Sequence, residues 1–89
     1  MNRKMFSSRI IELRKEAKLT QPELGRIIGA SRDDISNLER GFSYNPDYTL
    51  LLADFFNVSL DYLFGRTDNR KGIFVNSDEE SATLEKFAI

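Results

Sequence analysis

Thr20-Gln21-Pro22-Glu23-Leu24-Gly25-Arg26-Ile27-Ile28-Gly29-Ala30-Ser31-Arg32-Asp33-Asp34-Ile35-Ser36-Asn37-Leu38-Glu39-Arg40 is the stretch that decides the fold of this chain. Thr20 and Glu23 stand three apart, the spacing of a capping box. The threonine hydroxyl accepts from the Glu23 amide, and the glutamate side chain reaches back to the Thr20 amide. Pro22 falls in the first turn, where a missing N–H costs nothing. Leu24, Ile27 and Ile28 supply an apolar face, and Gly29 ends the helix. Ser31 and Asp34 repeat the same start signal, Ile35 and Leu38 give the next buried stripe, and Gly41 closes it. Two short helices joined by a three-residue turn follow from these positions alone.

Such a pair closes only if the backbones come near each other. Gly25 supplies the small residue for the approach, Gly29 a residue that accepts positive φ, and Ala30 a side chain small enough for the turn. Leu24, Ile28, Ile35 and Leu38 then fill the wedge. This is the spacing of a helix-turn-helix, in which the second helix enters the major groove of DNA.

Working outward, Phe6, Ile10, Leu13 and Ala17 mark one stripe of an amphipathic helix over residues 5–17. Asn45-Pro46 starts another helix after the loop Phe42–Asn45. Tyr48, Leu51, Leu52, Phe55 and Phe56 follow at helical spacing. Tyr48, Phe55, Phe56 and Tyr62 are read as core, with any surplus aromatic left to mark a dimer contact. Ser59 caps a last short helix, Leu60–Phe64, closed by Gly65. The sequence therefore predicts an all-α, five-helix domain over residues 1–65. Residues 66–89 form a C-terminal extension that opens with the polar, linker-like Arg66–Gly72. Ile73–Val75 is either a short strand or an anchoring apolar patch. Asp78–Ile89 has the pattern of a helix, with Ser77 as its cap.

Composition narrows the function. The chain has 89 residues, no cysteine and no histidine. Thiolate chemistry, Cys-based zinc sites and imidazole catalysis are excluded, and a reducing, cytoplasmic setting is expected. No apolar run approaches the roughly 20 residues of a membrane span or the length of a signal peptide. Neither a cofactor nor a metal is expected, and no paired-carboxylate arrangement supports an enzyme. The net charge of −1 is unevenly spread: residues 1–40 hold nine cations against six acids, while residues 41–89 hold four against eight. One half is thus suited to phosphates although the whole is mildly acidic.

Leu19-Thr20-Gln21-Pro22-Glu23-Leu24-Gly25, Gly29, Ser31 and Ile35-Ser36-Asn37-Leu38-Glu39-Arg40-Gly41 together resemble the helix-turn-helix of the Cro/cI-type (Xre-like) phage repressor family. Leu13-Arg14 resembles that family's first-helix signature. Ala53 and Val58-Ser59-Leu60-Asp61-Tyr62-Leu63-Phe64-Gly65 resemble its closing helices. The resemblance covers about residues 5–65 and does not extend to 66–89. It implies a lambda-repressor-like fold and a sequence-specific DNA-binding transcriptional regulator, a repressor of prophage or mobile-element type. Its partner would be double-stranded DNA, bound through the major groove at a palindromic operator by a homodimer.

The resemblance also implies roles. Ser31, Arg32, Asp33 and Asn37, with Ser36 behind them, match positions that face base edges. Gln21, Arg40 and the loop residues Ser43, Tyr44 and Asn45 match positions that contact phosphate. Arg14 and Glu39 match a structural ion pair between the first helix and the reading helix. Chemistry supports part of this independently: arginine binds guanine bidentately, and asparagine does the same for adenine. Asp33 is open to two readings, a charge favouring the helix start or an acceptor for cytosine N4. Asp34 is read as cap. Residues 66–89 complete a dimer, pack on the core or bind a protein partner. The last option suits an antitoxin or other interaction module on the same fold.

Overall fold

The computed structural model describes residues 3–72, and its elements are five helices. They are α1 (Arg3–Glu16), α2 (Gln21–Ile28), α3 (Arg32–Glu39), α4 (Pro46–Phe56) and α5 (Leu60–Leu63). Both capping boxes are formed. The Glu23 amide donates to the Thr20 hydroxyl at 3.2 Å and the Thr20 amide to Glu23 Oε1 at 2.9 Å. At α3 the Asp34 amide donates to Ser31 Oγ at 3.0 Å and the Ser31 amide to Asp34 Oδ2 at 2.9 Å. Between the two helices Gly29 takes φ 74°, a left-handed value that a glycine adopts without strain. Gly25 is needed for a close approach to the turn itself: a Cβ there would stand 2.6 Å from the Ala30 carbonyl oxygen.

The core gathers Phe6, Ile10 and Leu13 of α1 with Leu24 and Ile28 of α2, and Ile35 and Leu38 of α3. Leu52 and Ala53 of α4, then Val58, Tyr62 and Leu63, complete it. Three expectations need correction. Ala17 lies past the end of α1 and is exposed, because the chain turns at Lys18 (φ 60°) and sends Leu19 against the core instead. Ile27 is 46% exposed; α2 points Leu24, Gly25 and Ile28 inward and leaves Ile27 on its flank. Phe55 is 44% exposed. α4 buries Thr49, Leu52 and Ala53, so at 3.6 residues per turn Leu51 and Phe55 face away. The misleading residue is Thr49, a polar side chain that occupies a core position by donating to the Asn45 carbonyl at 2.9 Å.

The polar stretch Arg66–Gly72, which reads as a linker, is folded onto the helices. Arg9 of α1 is buried, with its guanidinium 4.0 Å from the centre of the Tyr62 ring. It donates to the carbonyls of Tyr62 and, at 2.6 Å, Thr67, and meets the Asp68 carboxylate at 2.6 Å. Arg70 forks onto Glu16 at 2.8 and 2.7 Å, and the Ser59 amide donates to the Arg70 carbonyl at 2.7 Å. Gly72 is buried beside Ser59. The expected strand or patch at Ile73–Val75 and the helix over Asp78–Ile89 lie outside the described residues. Among the described residues no helix is long and apolar enough to cross a membrane.

Candidate nucleic-acid interface

α3 turns Ile35 and Leu38 into the core and carries the candidate reading residues on its outer side. Ser31, Arg32 and Asp33 are exposed, and Ser36 and Asn37 are half-buried. One eight-residue helix, with Ser31 as its N-cap, therefore holds all five together. Arg32 and Asp33 form a surface ion pair, Nη2 to Oδ1 at 3.2 Å. Such exposed pairs are weak and easily exchanged for another partner.

Both ends of α3 are held by other parts of the molecule. At the start, Asp34 caps the helix and also accepts from the Tyr48 hydroxyl of α4 at 3.3 Å. Bonds from Ser31, first its amide, hold the Asp34 carboxyl below its usual range, and Tyr48 adds to this. The Asp34 charge in turn pushes the Tyr48 phenol up. At the other end, Ser7 of α1 donates to the Leu38 carbonyl at 2.9 Å. Glu39 accepts from Arg14 Nε at 2.6 Å and Nη2 at 3.0 Å, and from Gln21 Nε2 at 3.1 Å. Arg14 spends a further N–H on the Leu19 carbonyl at 2.9 Å. The side chains of Arg14 and Glu39 are only 13% and 5% exposed, so charge and counter-charge are matched in a largely dry setting.

The residues matched to phosphate contacts differ in what they are free to do. Gln21 opens α2 with its amide turned onto Glu39. Arg40 is exposed, its guanidinium 4.4 Å from the centre of the Phe42 ring. Ser43 is exposed in the loop. Tyr44 lays its ring against Phe6 and Phe64, 6.0 and 6.1 Å between centres. Asn45 uses its side-chain oxygen to cap α4, accepting from the Tyr48 amide at 3.1 Å. Arg40 and Ser43 are the open positions, while Tyr44 and Asn45 fix the loop that carries them. Sequence reasoning missed Ser7 and Tyr48 as supports of α3. Their partners lie 31 and 14 residues away, beyond the reach of any local spacing rule.

Residues 10–63 match the family model described as Helix-turn-helix, HTH_3. Among curated proteins, the chain is 38% identical over 82 residues to the uncharacterized HTH-type transcriptional regulator YqaE of Bacillus subtilis (strain 168), covering 90% of this chain and 67% of that protein. It is 35% identical over 66 residues to YobD of the same organism, described in the same terms, covering 73% of this chain and 59% of the relative. The HTH-type transcriptional regulator ImmR, also of Bacillus subtilis (strain 168), is 36% identical over 67 residues, covering 74% and 53%. The matched part thus spans about half to two thirds of the length of these relatives. Among solved structures, the crystal structure of the P22 c2 repressor in complex with a synthetic operator superposes with a TM-score of 0.61 at 36% identity, covering 65% of this chain and 89% of that one.

Proposed function

The chain belongs to the helix-turn-helix family, and from that premise we propose that it is a sequence-specific DNA-binding transcriptional regulator, a repressor of prophage or mobile-element type acting in the cytoplasm. The observation that carries this reading is the outer face of α3, where unpaired or weakly paired polar groups stand on a helix pinned at both ends. α3 enters the major groove, and Ser31, Arg32, Asp33, Ser36 and Asn37 meet base edges. Arg32 leaves Asp33 for guanine O6 and N7, Asn37 pairs with adenine, and the released Asp33 accepts from cytosine N4. Gln21, Arg40, Ser43, Tyr44 and Asn45 lie along the phosphates and set register. The curated relatives named as transcriptional regulators and the operator complex of the structural neighbour support this assignment.

One α3 reads only a few base pairs, so a homodimer on a two-fold operator is part of the proposal, with reading helices about 34 Å apart. The exposed Leu51, Phe55 and Leu60 offer apolar surface of the kind a second copy buries. Selection of bound DNA from a random pool tests the whole reading. The expected result is a two-fold symmetric consensus whose binding weakens steeply with salt. A pool that yields no consensus refutes it. With the consensus in hand, Arg32→Ala should relax one base pair per half-site by about 1–3 kcal/mol. A uniform loss across all sequences would make Arg32 a phosphate contact instead.

A further inference from the structure

Between the first two turns of α1 and the end of α3 lies a cleft of about 290 Å³. Arg3, Lys4 and Ser8 line one wall around the apolar Ile11; Glu39, Arg40 and Gly41 line the other. We propose that this cleft is a second phosphate-binding site, which holds a phosphodiester of the DNA backbone beside the contacts made at Gln21. The inference rests on the DNA-binding reading and extends it to α1, where no contact has been assigned.

Three cationic residues line the cleft, Arg3 and Lys4 from the start of α1 and Arg40 from the end of α3, where it follows the last helical residue. Among the described residues Arg3 and Lys4 have no ion-pair partner. At the start of a helix a cation opposes the macrodipole, and the first turn of α1 holds no acid to offset it. The one carboxylate in the wall, Glu39, is already matched by Arg14 and Gln21 at 2.6–3.1 Å. The cleft is therefore left cationic, and the exposed Ser8 hydroxyl adds a neutral donor. Position supports the same conclusion. Glu39 is both a wall of the cleft and the acceptor for Gln21, so the cleft adjoins the N-terminal end of α2. Arg40, matched to a phosphate contact, is itself part of the cleft wall, so a backbone that reaches Arg40 reaches the edge of the cleft.

The test uses the full chain and its selected DNA, comparing R3Q/K4Q with R66Q/K71Q, which removes the same charge from exposed side chains of the C-terminal segment. R3Q/K4Q should keep the selected consensus, and its melting temperature should be equal to or slightly above that of the wild type, since two charges opposing the macrodipole are gone. The same variant should lower the slope of log affinity against log salt by about 1, the value for one phosphate. The ratio of wild-type to variant affinity should then shrink about fourfold between 50 and 200 mM salt. Ethylation interference should show one phosphate that matters to the wild type and to R66Q/K71Q but not to R3Q/K4Q. A slope equal to that of R66Q/K71Q, with the consensus intact, overturns this site and leaves the DNA-binding reading standing. Absence of any consensus for the unmodified chain overturns both. A Gly41 amide resonance that saturates with inorganic phosphate while R3Q/K4Q binds DNA as the wild type does would assign the cleft to a free phosphate compound and also overturn the proposal.

Discussion

The α2–α3 pair and the Arg66–Gly72 segment are held by opposite kinds of bond. Each helix of the pair is started by two reciprocal hydrogen bonds between residues three apart. The C-terminal segment is held by Arg9 and Arg70, whose partners are 53 to 59 residues distant. A local bond forms as soon as its own turn forms and costs little chain entropy. A distant one requires the rest of the domain to be in place first. The pair can therefore nucleate early, while the segment docks onto a surface that α1 and α5 have already built.

Removing one partner from each arrangement sharpens this contrast. Glu39→Ala should have the largest effect, because it strands Arg14 in a nearly buried site. A loss of about 3–5 kcal/mol is expected in urea unfolding, and an effect under 1 kcal/mol would show that water reaches the pair freely. Arg9→Ala should cost about 1–3 kcal/mol, the penalty for leaving buried carbonyls without a donor. Its distinctive mark is regional. Hydrogen-exchange protection of the Ser59 amide, which donates to Arg70, should collapse while the amides of α2 and α3 keep theirs. Uniform loss of protection would mean that the segment and the helices form a single cooperative unit.

Acid gives the smallest effect and acts on both regions. The carboxyls of Glu23 and Asp34 are held low by bonds from their capping partners, Thr20 and Ser31, and that of Glu16 by Arg70. Folded, these groups bind protons less readily than in the unfolded chain. Their stabilisation is therefore complete above the ordinary carboxylate values near about 4 and is lost as pH falls through and below them. Tm should drop between about pH 5 and 3, and the double variant E23Q/D34N should drop less. An equal drop would remove the capping boxes as the source.

What was legible in the sequence follows the same division. The caps at Thr20, Ser31, Asn45 and Ser59, and the left-handed Gly29, were readable because each depends on residues within one turn. The buried wedge Leu24, Ile28, Ile35 and Leu38 was readable from periodicity. Thr49 and Arg9 were not. Both are polar residues in the interior, made tolerable by carbonyl acceptors that only the folded chain supplies. Thr49 displaced Phe55 from the expected core, and Arg9 turned an apparent linker into a docked segment. In the candidate interface the reading positions rest on resemblance. The contacts of Gln21 with Glu39 and of Tyr48 with Asp34 had no signal in spacing, since their partners lie on other helices.

The support of α3 at both ends, by Tyr48 at its start and by Ser7, Arg14 and Gln21 at its finish, has a thermodynamic consequence. Its backbone is already ordered, so little conformational entropy remains to be surrendered when it docks. A rod about 12 Å long that does not yield leaves the adjustment to whatever it enters. For a DNA duplex that adjustment is elastic, and its cost varies with the base steps being bent or twisted. Stiffness in this one helix would then make base pairs that no side chain touches contribute to selectivity.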